Sequence, residues 1–270
     1  GYRLLELAVK IGVSVVDVSY MPEDPFALDK PARDKGIVII PDAGFAPGIS
    51  NLLIGLEAAM QGVLEYVKIY VGGLPIRPIP PLGYAVTWNV SDLLEEYTRP
   101  VRIWRFGRLE VVPPLSGLET INVQGIGRLE AFYTDGLRTL LKTIAPMVKG
   151  EMWEKTLRYP GHVEKVRLLR ELGFLDKDKI RVDGYEVDIR KFTAVVLSKK
   201  LRSEIDDIVI LRILFDDSEG YSFKLSKQPG MMSAMAWSVA AMSVSVTNIL
   251  LDEKVDLVGV VPPEVMGLNS

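Results

Sequence analysis

Cysteine is absent from the 270 residues and histidine occurs once, at His162. Without a thiol there is no disulfide framework, thiolate nucleophile, iron–sulfur cluster or cysteine-type zinc site, and one imidazole cannot build a histidine-rich metal centre. No metal site is expected, and non-metal chemistry is left. Long runs of Lys or Arg are missing too. The 32 basic residues are offset by 35 acidic ones, for a net charge of −3, so nothing tracks a phosphate backbone and nucleic acid is not an expected partner. What is present is ordinary for a folded chain: 48% hydrophobic and 25% charged residues, enough for one large or two modest domains. A chain of this length buries roughly three quarters of its unfolded surface and needs no cross-link to fold.

The one long uncharged stretch, Met231 to Leu251, has the length of a bilayer span. Six of its positions are Ser, Thr or Asn, small residues alternate with Met, Trp and Leu, and no basic cluster flanks it. It reads as a buried helix between packed layers, with no membrane partner expected. Tyr2 to Ile11 is amphipathic, with Arg3, Glu6 and Lys10 on one face and Leu4, Leu5, Ala8 and Ile11 on the other, which is not a signal peptide. A cytoplasmic location is the corresponding expectation. The chain has no initiator Met and opens inside a helix, so it reads as starting in the middle of a domain.

Valine-rich Val13–Val18 and apolar Ile37–Ile40 have the composition of strands buried in a parallel sheet. Between and after them, Phe26–Lys35 and Ile49–Met60 read as helices, the order of a doubly wound α/β fold. Past Gly62 the pattern changes. Strands are expected at Tyr66–Val71, Gly83–Trp88, Val101–Phe106, Glu119–Val123, Arg128–Tyr133, Met152–Arg158, Asp207–Phe215 and Tyr221–Leu225, and helices at Ser91–Tyr97, Asp135–Ile144, His162–Leu172 and Asp188–Leu201. This places an α+β domain with a mixed sheet at residues 63–230. Residues 1–62 and 231–270 would form the C-terminal part of a doubly wound domain.

Gly125-Ile126-Gly127 is the only candidate for a phosphate-cradling loop, and it fails, because Glu130 takes the third glycine's place and a strand follows. Asp17, Ser19, Tyr20 and Asp42 fall beyond the C-terminal ends of the two parallel strands, where open α/β sheets bind ligands; Asp42 is equally readable as a turn or capping residue. Gly44-Phe45-Ala46-Pro47-Gly48 precedes a helix whose free amides can meet an anion, or merely punctuates the turn. Arg158, followed by Tyr159, offers a guanidinium that can clamp a carboxylate, with an internal ion pair as the alternative. His162 opens a helix whose dipole favours the neutral base, with a capping or core role as the alternative. Trp88 and Asn89 put an aromatic face and an amide ahead of a helix capped by Ser91 or Asp92; core packing and capping explain them as well.

The segments Val16-Asp17-Val18-Ser19-Tyr20, Asp42 to Asn51, Val71-Gly72-Gly73-Leu74-Pro75, Thr87-Trp88-Asn89, Glu95 to Pro100, Thr134 to Arg138, Thr156 to His162 and Gly259 to Glu264 together resemble the saccharopine dehydrogenase-like family, most closely its archaeal lysine 6-dehydrogenase branch. The resemblance implies a Rossmann domain holding a nicotinamide dinucleotide, NAD with NADP open, and a second domain that supplies substrate contacts and a homodimer surface. It also implies oxidation of L-lysine at its ε-carbon, giving 2-aminoadipate 6-semialdehyde and ammonia. Asp42, His162 and Tyr20 are then the candidate bases, and Arg158, Trp88, Asn89 and Tyr159 the substrate contacts. By the same resemblance, Asp17, Ser19, Gly44, Phe45, Pro47 and Gly48 would face the cofactor. The family's glycine fingerprint has no counterpart here. Where saccharopine reductases of this kind carry Asp before Pro-Gly, this chain has Ala46, which favours lysine over a reductase joining the semialdehyde to glutamate. A non-catalytic dimerising remnant is the third reading.

Overall fold

A computed structural model describes residues 1–201, 205–216, 219–252 and 257–269. The chain opens with α1 (Tyr2–Ile11), β1 (Val15–Val16), α2 (Asp29–Asp34), β2 (Val38–Ile40) and α3 (Ile49–Gln61). The strand β3 (Val67–Pro75), α4 (Val90–Thr98), β4 (Val101–Arg105), β5 (Arg108–Val112), β6 (Glu119–Val123) and β7 (Gly127–Thr134) follow. Next come α5 (Leu140–Thr143), β8 (Glu151–Arg158), α6 (His162–Glu171), the hairpin β9 (Lys179–Val182) and β10 (Tyr185–Asp188), and α7 (Ile189–Leu201). The last elements are β11 (Asp207–Leu214), β12 (Glu219–Ser226), α8 (Ala234–Leu251), β13 (Gly259–Val260) and α9 (Pro263–Leu268).

Besides the two-stranded β9–β10 hairpin, the described residues form two sheets, one parallel and one mixed, as expected of an α/β chain. The parallel one is small, in the order β1-β2-β13. The mixed one has eight strands, with β12-β11-β3-β8-β4-β5 in a row and the β6–β7 hairpin joined to β8. Its centre is β8, parallel to β3 along one edge. Along the other edge, β4 pairs with Glu151 and Met152 and β7 takes Glu154 to Arg158. Every residue of β8 after Glu151 is therefore buried. Strand alternation puts Met152, Glu154, Thr156 and Arg158 on one face and Trp153, Lys155 and Leu157 on the other. Trp153 and Leu157 join one apolar core with Tyr70, Leu94 and Tyr97. Met152 joins another beneath α3, α5 and the start of α8, with Ile54, Leu140 and Ala234.

Several expectations need correction. Gly83–Trp88 forms no strand: Pro78, Pro80 and Pro81 precede it, and Gly83 sits at φ 68, so the segment leaves the ladder although Tyr84, Ala85 and Val86 are buried. The helix expected over Asp135–Ile144 shrinks to α5, because Arg138 takes φ 49. Two hairpins went unread, β4–β5 across Phe106-Gly107 and β9–β10 across Asp183-Gly184. All four turn residues have positive φ, the pattern of the type I′ turn whose Asp-Gly signal the second one carries. Val13–Val18 reduces to β1, with Val13 and Val18 half exposed, because β1 pairs with β2 along one edge only.

The uncharged C-terminal stretch forms α8 but is not buried all round. Its 18 residues are long and apolar enough to cross a bilayer, yet only one stripe, Ala234, Ser238, Met242 and Val246, is buried. Trp237, Val244 and Leu251 face outward, since packed elements lie along one side only. Asp207 of β11 anchors its start by accepting from the amides of Ala234 at 2.6 Å and Met235 at 3.1 Å, a carboxylate at the positive end of the helix dipole.

Candidate active site

A cavity of about 380 Å³ opens where the two sheets face each other, within the range of roughly 300–1,000 Å³ common to small-molecule sites. One wall is made by the chain leaving β1 and β2: Val18, Ser19 and Tyr20, then Gly44, Phe45, Ala46 and Pro47. The opposite wall carries the charge. Glu154, Thr156 and Arg158 of β8 and Thr134 of β7 line it, with Tyr84, Trp88, Asn89, Asp92 and Glu96 beside them. Gly72 and Gly73 of β3 complete it with Met235 and Val239 of α8. A Cβ on Gly73 would stand 2.4 Å from the Met235 methyl, so a side chain there would displace the end of Met235.

Arg158 is buried and donates to both oxygens of Glu96, at 3.0 and 3.3 Å, and to the Leu157 carbonyl at 2.9 Å. Its guanidinium stacks over the Tyr84 ring at 4.4 Å, and its Nε is buried without a partner. Burial works against its charge, but Glu96 and the phenols of Tyr84 and Tyr97 outweigh it and raise its pKa. Burial also pushes the Glu96 carboxyl up, against the pull of Arg158 and a bond from Thr156. The internal ion pair left open by the sequence therefore exists, and it stands in the cavity wall.

His162 does not reach the cavity. Its Nδ1 donates to the Leu82 carbonyl at 2.9 Å, which leaves Nε2 to accept from the Tyr97 hydroxyl at 2.8 Å. Burial and the charge of Arg158 hold its pKa down at about 3, so it is a neutral core residue that braces the Arg158 wall. Asp42 is likewise behind the wall. At φ 56 it accepts from Arg138 Nε at 3.1 Å, and burial raises its carboxyl while Arg138 pulls it back. Tyr20 does line the cavity, but burial raises its phenol and its hydroxyl donates to the Asp135 carbonyl at 3.3 Å. A phenol so placed stays protonated at neutral pH and is no base there.

Asn89 lines the cavity and is itself the cap of α4, accepting from the Ser91 amide at 2.8 Å; the expected Ser91 or Asp92 cap is replaced by the residue just before. Trp88 donates to the Tyr84 hydroxyl at 2.8 Å. Tyr159 is turned away, its hydroxyl 2.9 Å from the carbonyls of Pro75 and Ile76. Asp17 is buried below the wall, accepting from the Ser19 amide and hydroxyl. Gly48 lies behind Gly44, where a Cβ would sit 1.9 Å from the Gly44 carbonyl oxygen. The amides at the start of α3 are not free for an anion. Gly48, Ile49 and Ser50 donate to the Asn51 side chain, the Gly44 carbonyl and the Phe45 carbonyl, because the loop folds back on the helix.

The residue the sequence reading passed over is Glu154. It is 4% exposed, receives the Thr134 hydroxyl on Oε1 at 3.2 Å, and leaves Oε2 buried without a partner. Burial raises its pKa to about 8. The signal was present in the strand expected over Met152–Arg158: a buried strand with acidic, hydroxyl and basic side chains on alternate positions of one face must aim them at a cavity or at one another.

A family model described as the saccharopine dehydrogenase C-terminal domain matches residues 44–270. The chain is 28% identical over 185 residues to saccharopine dehydrogenase (NADP(+), L-glutamate-forming) of Saccharomyces cerevisiae, covering 65% of this chain and 42% of that protein. It is 23% identical over 188 residues to the mitochondrial alpha-aminoadipic semialdehyde synthase of Bos taurus, covering 62% and 19%. The chain thus spans less than half the length of these two relatives. Among solved structures, the apo saccharopine dehydrogenase (L-Glu forming) from Saccharomyces cerevisiae superposes with a TM-score of 0.71 at 19% identity, covering 98% of this chain and 77% of that one, which shows a shared fold.

Proposed function

The chain belongs to the saccharopine dehydrogenase family through its C-terminal domain, and from that premise we propose that it is part of a nicotinamide-dependent oxidoreductase of lysine metabolism that oxidises the ε-carbon of L-lysine. The observation that carries this reading is the surplus of carboxyl groups in the cavity wall. Three carboxyl groups, Asp92, Glu96 and Glu154, line it against one guanidinium, Arg158, and that guanidinium is already closed on Glu96. Such a lining suits a substrate with more ammonium than carboxylate groups, as lysine has, and disfavours one with three carboxylates, as saccharopine has. Ala46, where the reductase pattern has Asp, points the same way. The reductase remains the second reading, favoured by the name of the 28% identical yeast relative.

In this reading residues 1–62 and 231–270 contribute to the nucleotide-binding lobe and 63–230 form the substrate lobe. The wall beyond β1 and β2 fits a nicotinamide ring: Ser19, Tyr20, Gly44, Phe45 and Pro47 bring no charge to it, and strand ends of this kind are where open α/β sheets hold such groups. When bound, the nicotinamide accepts a hydride from the carbon that bears the amine. The chain's own residues bind, orient and exclude water. Arg158 Nε is the free donor for the amino-acid carboxylate. Trp88, pinned by Tyr84, walls the aliphatic stem. Exposed Val182, Tyr185 and Phe192 on the β9–β10 and α7 surface support a homodimer.

The test is product analysis on an N-terminally extended form given L-lysine with NAD or NADP. Reduced cofactor and ammonia without added glutamate are expected. Turnover only when the semialdehyde and glutamate are supplied together, or only with saccharopine, would replace this reading by the reductase. Dinucleotide titration of the 270-residue chain beside the extended form separates a non-catalytic remnant, since an extension that restores no binding would support the remnant.

A further inference from the structure

Among the described residues, Glu154 joins burial, access to the cavity and an unused polar atom. A carboxylate oxygen buried without a donor is costly unless a ligand supplies one. Its other oxygen is held by Thr134 at 3.2 Å, and Thr134 in turn lies 3.0 Å from the Thr156 hydroxyl, which reaches Glu96. The carboxyl is therefore fixed in place with one oxygen spare. Gly136 makes room for it, since a Cβ there would stand 1.7 Å from Oε1. Arg158 lies four residues along the same strand, about 13 Å away along the backbone, and is closed on Glu96. Among the described residues, no cation satisfies Oε2.

We propose that Glu154 is the catalytic base of the site: its free Oε2 receives the ammonium group of the substrate and takes one proton from it. The inference rests on the amine-oxidising reading above and supplies the base that reading needs. In the step, an N–H bond of the ammonium breaks and an O–H bond forms on Glu154, leaving a neutral amine and a neutral carboxylic acid. The nitrogen lone pair so released is what lets the neighbouring carbon give up a hydride.

The surroundings of Glu154 favour that exchange. Carboxyl groups face it from two elements, Glu96 on α4 and Asp135 after β7. The Tyr20 phenol faces it from the strand-end wall; Arg158, the basic group on the same face of β8, pairs with Glu96, and Lys155, on the opposite face, pairs with Glu119. Burial first, and then Glu96 and Asp135, raise the pKa of Glu154 to about 8 against the bond from Thr134. An ordinary carboxylate lies about six pH units below an alkylammonium at about 10.4; Glu154 narrows that gap to about two.

The experiment is calorimetric binding of L-lysine and of n-butylammonium to the 270-residue chain between pH 6 and 9, in buffers of different ionisation enthalpy, which counts protons released. Binding of either cation should release close to one proton at pH 6.5, half of one near pH 8 and about a tenth of one at pH 9, with affinity rising about tenfold per unit below 8. Glu154→Gln should abolish the release and lose at least tenfold in affinity at pH 9. Thr134→Val, which removes a donor that lowers the carboxyl, should move the half-release point to higher pH. Unchanged affinity and proton count in Glu154→Gln, or no binding of either cation by the unmodified chain, overturns the proposal. Binding of n-butylammonium that depends on Glu154, with lysine refused, would keep the base and discard lysine as the substrate. Lysine turnover by the extended form that survives Glu154→Gln with its pH profile intact would keep the reaction and discard the base.

Discussion

The mixed sheet and the parallel sheet meet at one cavity and contribute to it unequally. All the carboxyl groups and the guanidinium in its lining come from the mixed sheet and from α4 packed on it, whereas the parallel side offers Val18, Ser19, Tyr20 and the Gly44–Pro47 loop. The difference follows from how each sheet is enclosed. In the mixed sheet β8 has neighbours on both edges at Met152 and over Glu154–Thr156, so a charge placed there finds fixed partners. The parallel sheet has strands of two or three residues, with Leu4, Leu7 and Ile11 of α1 exposed outside it. A charge in a low-dielectric wall needs fixed partners around it.

The largest test of that contrast is the Arg158–Glu96 pair. Glu96→Ala should cost about 3–5 kcal/mol in urea unfolding, because it strands a buried guanidinium. Replacing both partners by apolar residues, Glu96→Leu with Arg158→Met, should recover most of that loss. Additive losses in the double variant would show that the pair is not enclosed as described. On the parallel side the corresponding buried contact is Asn51 Nδ2 donating to Glu264 Oε2 at 3.0 Å. Glu264 also accepts from Thr143 at 2.8 Å and keeps that donor when the amide is gone. Asn51→Ala should therefore cost only about 1–3 kcal/mol. A loss exceeding that of Glu96→Ala would invert the comparison.

Stability against pH gives a smaller effect with a definite sign. Glu154 titrates at about 8 in the fold against 4.5 for a free side chain, so between those values the native state holds a proton that the unfolded state has lost. Its contribution is fully present below pH 4.5 and is lost as pH rises through 8, at up to about 1.4 kcal/mol per unit. Urea midpoints at pH 5, 6 and 7 should fall accordingly, and Glu154→Gln should flatten that component. The same slope in both proteins would mean that another group is responsible. Smallest of all, Leu7→Lys on the exposed face of α1 should change stability by no more than about 0.5 kcal/mol. A larger, concentration-dependent loss would show that another copy covers this face.

Much of the site could be read before its geometry was known, but in pieces. Asp42 and the Thr134–Arg138 segment were singled out separately, and Arg138 closes on Asp42 across 96 positions of chain. The segment with Glu96 and the one with Arg158 and His162 meet in the same way, through the ion pair and the Tyr97–His162 bond. Residue type and local pattern located these segments because each must present a polar group from a strand end or a helix start. They could not tell which partners satisfy one another. His162 illustrates this. Its position in the first turn of α6 is local and was legible, while its removal from the cavity depends on the Leu82 carbonyl and the Tyr97 hydroxyl, 80 and 65 residues away.

The sequence by itself determined the class of fold, the strand at the centre of the mixed sheet and the stretches from which the cavity is built, because alternation, helical periodicity and glycine or proline punctuation are local consequences of backbone geometry. Only the tertiary structure decided which ionisable groups are used up and which is left. Whether Arg158, Asp42, His162 or Glu154 has a free polar atom in the cavity depends on contacts between segments tens of residues apart, and so does the burial that moves each pKa. The chain spells out its charges in order, and packing alone leaves Glu154 with an oxygen to spare.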